Sequence, residues 1–335
     1  MRLSIIIPAY KVADYIEKCI RSLEQQDLPA ADFEIIVTND GSPDNSSEIV
    51  RKLQTEFSNL TLIDQENQGV SMARNNAIAK AKGKYILPID PDDYVLPNTL
   101  NRLLTIAEND NLDVFYLGFE IFDAAGKSIW HTNYELLQDK KLDGVEGYFA
   151  SRGSGVIDPD RSVGMFFKRE ILEQFQIDYP KDVPYLEDGL FLAKFFAVAQ
   201  KVGFDNERFY QRTTRAGSAT NSRLFYSEKA LQGFIKAIED IKSFGEKHSF
   251  EHQQKLLINH VVAKFTLLPL TSLIGQKSLK NYYAFIERLK TKKIHKILNE
   301  GLRFDYGQMA RIYNQSALLF YLYYPISCKL KTYKR

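Results

Sequence analysis

Four apolar runs of buried-strand length, LSIIIPAY (residues 3–10), FEIIVTND (33–40), LTLIDQ (60–65) and KYILPID (84–90), alternate with segments whose apolar residues recur at helical spacing. The first helix is expected over 14–26, where Tyr15, Ile16, Cys19, Ile20 and Leu23 share a face, and the second over 46–57, after the turn DGSPDN. The third spans 71–83, with Ser71 as its cap and Gly83 as its stop. Strands that alternate with helices need right-handed crossovers, so the fold class is α/β with a mostly parallel, Rossmann-like sheet flanked by helices. In such sheets ligands bind beyond the carboxyl ends of the strands.

Those ends carry the polar residues of interest. Tyr10 and Lys11 follow the first run, Asn39, Asp40 and Gly41 close the second, and YILPIDPDDYVLP (85–97) leads the fourth into Asp90, Asp92 and Asp93. Two carboxylates about 4 Å apart repel by roughly 4 kcal/mol at an effective dielectric near 20, so a cation or a proton is expected to share this site. Carboxylate oxygens are the hard ligands that Mn²⁺ and Mg²⁺ prefer, and such an ion would bridge the acidic turn to a diphosphate. Taken singly, each acidic turn also reads as a loop with a helix cap; two of them after strands of one sheet are harder to explain that way.

Further along, helical spacing resumes over 97–109, LDVFYLGFEIFD (112–123) reads as one long strand, and the glycine-rich segment 124–160 gives no clear pattern. It contains Trp130 and His131; an isolated Trp is more often core than a platform for a sugar ring. VGMFFKREILEQF (163–175) enters a helix, YLEDGLFLAKFFAVAQ (185–200) reads as an amphipathic helix with an acidic start, and VGFDNERFYQRT (202–213) reads as a strand. From about residue 225 the pattern is helical. The expected division is therefore a sheet domain over 1–225 and a C-terminal α-helical appendage over 226–335.

Composition narrows the partners. With 44 Lys and Arg against 42 Asp and Glu the net charge is only +2, which argues against a nucleic-acid binder. Cys19 and Cys328 lie at opposite ends and form neither a disulfide framework nor a metal-ligand spacing, which fits a reducing, cytoplasmic setting. The N-terminus reads as a first strand and not as a secretory signal. No unbroken apolar stretch reaches the length of a spanning helix. The nearest, SALLFYLYYPISC (316–328), is broken by Pro325 and followed by Lys329, Lys331, Lys334 and Arg335, the pattern of an interfacial anchor on the inner face of a membrane. A helix packed on the core with a solvated tail is the competing reading.

In order and spacing, IIIPAYK, EIIVTNDGSPDNS, NQGVSMARNNAIAKAKGKYILPIDPDDY and YLEDGLF resemble the inverting family 2 glycosyltransferases of the GT-A (nucleotide-diphospho-sugar transferase) fold. The resemblance covers about residues 1–222. It implies a nucleotide-sugar donor, a UDP-sugar above all, a divalent metal (Mn²⁺ or Mg²⁺) and a saccharide or lipid-linked acceptor, as in surface polysaccharide assembly. It further implies that Pro8, Ala9 and Tyr10 line the nucleotide pocket, that Asp40 contacts the base, that Arg74 approaches the nucleotide, Asp90 the ribose or sugar, and Asp92 the metal. Relatives usually carry two acids before the Gly-Ser; here the first is Asn39, an amide that both donates and accepts, which leaves the base preference open. The Asp of the Glu187–Asp188 pair matches the family's catalytic base, with Glu187 shaping the acceptor site, although acids at a helix start also simply complement its dipole. The segment YQRTTRAGSATNS (210–222) resembles the loop that closes over the diphosphate, with Arg212, Arg215 and Ser218 as candidates.

Other classes fit less well. A haloacid-dehalogenase-like phosphatase places its Asp-x-Asp after the first strand, not the fourth, and a Rossmann dehydrogenase wants glycines where PAYKVADY has none. A non-catalytic sugar- or nucleotide-binding protein of the same fold is the main alternative.

Overall fold

The computed structural model describes residues 1–152, 160–213, 225–302 and 304–332, with no side-chain account of 304 or of 327–332. Two compact units emerge from the contacts: the first runs Met1–Lys181 and resumes at Val198, and the second takes Asp182–Ala197 together with the C-terminal helices.

The first unit opens with β1 (Leu3–Ala9), α1 (Ile16–Glu24), β2 (Phe33–Asp40), α2 (Ser46–Leu53), β3 (Leu60–Gln65), α3 (Val70–Ile78) and β4 (Tyr85–Pro88). There follow β5 (Tyr94–Val95), α4 (Leu100–Asn109), β6 (Val114–Tyr116), β7 (Phe119–Phe122), β8 (Ser128–His131), α5 (Gly144–Ser151), β9 (Met165–Lys168) and α6 (Arg169–Phe175). After α7 (Glu187–Val198) come β10 (Val202–Phe204) and β11 (Tyr210–Thr213). Seven strands form a mostly parallel sheet in the order β10-β6-β9-β4-β1-β2-β3, in which only β9 runs antiparallel to its neighbours. A second sheet of four has the order β5-β11-β7-β8.

The first three strands end where their apolar runs end, because every residue of β1 and β2 is buried and a run flanked on both sides needs no alternation. Pro8 lies in the central strand β1, yet it costs no ladder bond to β4, whose register stops at Ile6↔Pro88. Ile16, Cys19, Ile20 and Leu23 of α1 are buried, as their spacing predicts.

Several expectations are corrected. The single strand expected over 112–123 is two, β6 and β7, in different sheets. The break sits at Gly118, where a Cβ would come 2.1 Å from the Glu207 carbonyl oxygen, so the chain can pass only without a side chain. The strand expected over 202–213 divides likewise into β10 and β11. Helix α3 is capped by Gly69 and not by Ser71, and it ends at Ile78, before Gly83. Gly83 serves a close approach instead: its Cβ would lie 2.3 Å from the Ser4 backbone nitrogen, and its own N–H donates to Ser4 Oγ at 2.8 Å. Helix α7 is not amphipathic, because Leu190 to Val198 are buried without interruption; Lys194 alone carries charge there and donates to Asp240 Oδ1 at 2.7 Å.

The second unit is helical, with α8 (Glu228–Lys247), α9 (His252–Gly275), α10 (Leu279–Thr291), α11 (Phe304–Gln315) and α12 (Ala317–Thr332). Contrary to the reading that no stretch qualifies, α9 is long and apolar enough to cross a membrane by length and composition, and 78% of its qualifying window is buried in the fold. It packs against α8, α10, α11 and α12, and the buried amide of Asn259 donates to the carbonyls of Leu298 and Glu300. Pro325 does not break the last helix: α12 continues through it, and Leu318, Leu319, Leu322 and Ile326 are exposed.

Candidate active site

Because β4, β1 and β2 are neighbours in one parallel sheet, the loops after their carboxyl ends lie side by side. The loop after β2 is a scaffold for the loop after β1. Ser42 Oγ accepts from the Lys11 N–H at 2.7 Å, Asp44 Oδ2 from Ala13 at 3.1 Å and Ser46 Oγ from Val12 at 3.2 Å. These bonds hold Lys11 at a φ of 56°, in the left-handed region, and Tyr10 beside it is 44% exposed. Partial burial pushes the Asp44 carboxyl up, but bonds from Ser42, Ser46 and the backbone of Ala13 and Ser46 prevail and bring it to about 2.

Asn39 uses both ends of its amide. Nδ2 donates to Asp64 Oδ1 at 2.8 Å and Oδ1 accepts from the Ser42 N–H at 3.0 Å. A carboxylate could not make the first of these bonds, and it would face the Asp64 charge instead. Asp64 also receives Arg51 Nη2 at 2.6 Å. The buried Asp40 carboxylate accepts from Gln65 Nε2 and the Gln68 N–H, both at 2.7 Å, and from the Gly69 N–H at 2.9 Å. It therefore anchors the start of α3, where acceptors complement the helix dipole.

Helix α3 in turn presents Arg74. The guanidinium is 4% exposed, lies 5.0 Å from the Tyr179 ring centroid, and donates from Nη2 to Asp90 Oδ1 at 3.0 Å. Asp90, Asp92 and Asp93 each offer a carboxylate oxygen, and these atoms lie within 4.8 Å of one another. Such an all-oxygen, multiply charged donor set suits Mn²⁺ or Mg²⁺. Asp93 is the buried member. Burial first, then the charge of Asp90, push its carboxyl well above the usual range, against the pull of the Tyr210 hydroxyl. The free thiol of Cys19, raised by burial, rests at 3.7 Å from the Asp90 carbonyl.

The strand ends thus bring Pro8, Ala9, Tyr10, Asn39, Asp40, Asp90 and Asp92 to one edge of the first unit, and α3 adds Arg74 through its bond to Asp90. Glu187 and Asp188 form the acidic first turn of α7, in the second unit. Arg212 sits on β11, whereas Arg215 and Ser218 lie outside the described residues. Trp130, on β8, meets Phe119 edge-on at 6.4 Å and packs against the core. Sequence reasoning missed Asp64, Gln65, Tyr210 and Thr213, whose roles depend on cross-strand register; for Asp64 the only signal was its place at the end of a third parallel strand.

Comparison with known proteins agrees with this geometry. The chain is 32% identical over 211 residues to EpsJ of Bacillus subtilis (strain 168), an uncharacterized glycosyltransferase, covering 62% of this chain and 59% of that one. It is 28% identical over 262 residues to the poly(ribitol-phosphate) beta-glucosyltransferase of Bacillus spizizenii, covering 76% of this chain but 38% of that enzyme, so it spans less than two thirds of each relative. The crystal structure of S. aureus TarS 1-349 in complex with UDP-GlcNAc shares the fold, with a TM-score of 0.60, 21% identity, and coverage of 87% of this chain and 92% of that one. The family model described as Glycosyl transferase family 2 matches residues 4–174, the span that holds every strand end of the acidic site, and the chain belongs to that family.

Proposed function

We propose that the protein is a metal-dependent inverting glycosyltransferase that moves a sugar from a nucleotide diphosphate, a UDP-sugar, to a hydroxyl of a saccharide or lipid-linked acceptor in surface polysaccharide assembly. The observation that carries the reading is the Asp90, Asp92 and Asp93 cluster at the end of β4 in a chain of this family. A divalent cation, Mn²⁺ or Mg²⁺, held by Asp92 with Asp90 beside it, would neutralise charge on the departing diphosphate. Pro8, Ala9 and Tyr10 form one wall of the donor pocket in this reading. Asn39 and Asp40 form its base end, and Arg215 meets the diphosphate. Asp188 takes the proton from the acceptor hydroxyl as that oxygen attacks the anomeric carbon. The bond to the diphosphate oxygen breaks as the new glycosidic bond forms, and the configuration inverts.

The donor class has support from the UDP-GlcNAc complex of the TarS structure, and the polysaccharide role from the poly(ribitol-phosphate) glucosyltransferase. The exposed Leu318, Leu319, Leu322 and Ile326 of α12, ahead of a lysine-rich end, support peripheral contact with the inner membrane face.

The test is a panel of UDP-, GDP- and ADP-sugars scored by thermal stabilisation with and without Mn²⁺, since a ligand that binds only the folded state raises the melting point. UDP-sugars should stabilise the wild type far more with metal than without, and Asp92→Ala should abolish that difference. No stabilisation by any sugar nucleotide in Mn²⁺ or Mg²⁺ sinks the proposal.

A further inference from the structure

The acidic turn is held from the other sheet, chiefly by a buried phenol. Asp90 to Asp93 connect β4 of the seven-stranded sheet to β5, which pairs antiparallel with β11 in the four-stranded sheet. From β11 the Tyr210 hydroxyl accepts the Asp90 N–H at 3.1 Å and donates to Asp93 Oδ2 at 2.6 Å. Thr213 adds two more bonds, from its N–H to Asp93 Oδ1 at 3.2 Å and from Oγ1 to the Asp92 carbonyl at 2.9 Å. Both oxygens of Asp93 are thus engaged by β11, and each residue of the acidic triplet is tied to that strand at a backbone or side-chain atom.

The phenol itself has no freedom to drift. Tyr210 is fully buried, and its ring stacks on Phe119 at 4.8 Å with 6° between the planes. The Arg161 guanidinium covers Phe119 at 4.1 Å. Three acidic groups crowd within 4.8 Å, and charge on Asp90 and Asp92 is mutually repulsive, so an unrestrained turn would spread before any cation arrived. Bonds that fix its backbone in advance remove that reorganisation from the binding step.

We infer that Tyr210 is a positioning residue that presets the Asp90–Asp93 turn for a divalent cation and the diphosphate it accompanies, with Thr213 as its auxiliary. The inference rests on the proposed function. Tyr210 reaches no substrate, because its hydroxyl is spent on Asp90 and Asp93; it acts through them.

The experiment compares wild type, Tyr210→Phe and Thr213→Val by calorimetric titration of Mn²⁺ in the presence of UDP, and of UDP without metal. Tyr210→Phe keeps the ring and its stack but deletes the bridging oxygen. It should weaken Mn²⁺ binding about tenfold, the scale of one well-placed hydrogen bond, and leave metal-free UDP affinity unchanged. Thr213→Val should act in the same direction, by about threefold, and decides the matter if Tyr210→Phe does not fold. A merely structural tyrosine would lower the melting point and leave the Mn²⁺ affinity alone. That result in a folded variant, with wild type binding normally, overturns the inference while the proposed function stands. If wild type itself shows no metal-dependent UDP binding, the functional reading fails first and this inference falls with it.

Discussion

Arg74 Nη2 donates to Asp90 Oδ1 at 3.0 Å from a guanidinium that is 4% exposed, while the Asp90 side chain is 38% exposed. The cation is thus sealed into the protein and its anion faces outward, where a ligand could share it. Neutralising Asp90 removes one anionic contact from a buried cation, which costs more than losing an exposed pair. Asp90→Asn should lower stability by about 1–3 kcal/mol in urea denaturation and also lower sugar transfer. Arg74→Lys keeps the charge but loses the planar fork, so it should cost transfer even where the melting point holds. A urea midpoint unchanged in Asp90→Asn would show that the pair carries no structural weight.

Asp188→Asn separates binding from chemistry. The amide is isosteric with the carboxylate but cannot take a proton from an acceptor hydroxyl. Donor affinity, measured by calorimetry with UDP and Mn²⁺, should stay within about twofold of wild type, whereas turnover should fall by about 10²–10⁴. Transfer at the normal rate would place the base elsewhere. The glutamate beside it provides a control, because Glu187→Gln should change acceptor KM more than kcat.

What the sequence makes legible here is set by how local the physics is. The end of β2 is readable because it closes on polar residues after a buried run, that of β3 because it closes on Asp64 and Gln65 after an apolar one, and the acidic turn because three like charges in four positions need a reason. Gly118 is opaque for the opposite reason: what forbids a side chain there is the carbonyl of Glu207, far along the chain, and nothing near residue 118 announces it. The same holds for Tyr210, which in isolation is one more aromatic in a strand. Asn39 looks like a departure from the family pattern until Asp64 is placed opposite it; then the amide is the residue that lets two strand ends sit together. Helix α9 resists reading from hydropathy alone, since a core helix and a spanning helix pass the same test and only its packing against α8, α10, α11 and α12 distinguishes them.

The exposed face of α12 makes a separate prediction. Leu319 and Leu322 are exposed, so replacing both with Asp should leave the fold and melting point intact. Each leucine buried in a bilayer interface contributes about 1.5–3 kcal/mol, so the double variant should lose most of its co-sedimentation with anionic vesicles. Equal sedimentation of variant and wild type would remove the membrane from the proposed function without touching the chemistry.

Asp44 predicts how the loops after β1 and β2 respond to acid. Its carboxyl is partly buried, which favours the neutral form, but four hydrogen bonds from Ser42, Ser46 and the backbone of Ala13 and Ser46 favour the anion more strongly and bring the group down to about 2. In the unfolded chain an aspartate titrates near 3.9. The group is therefore more readily ionised in the fold, and the stability it contributes is fully present above about pH 4 and lost as pH falls toward 2. Asp44→Asn keeps the shape but removes the charged acceptor, and should destabilise the protein by on the order of 1–2 kcal/mol at pH 7. The gap between variant and wild type should shrink as pH falls from 4 to 2, measured by urea unfolding followed by circular dichroism. A gap that is constant over this range would mean that the ionised form of Asp44 is not what lashes the loops after β1 and β2 together.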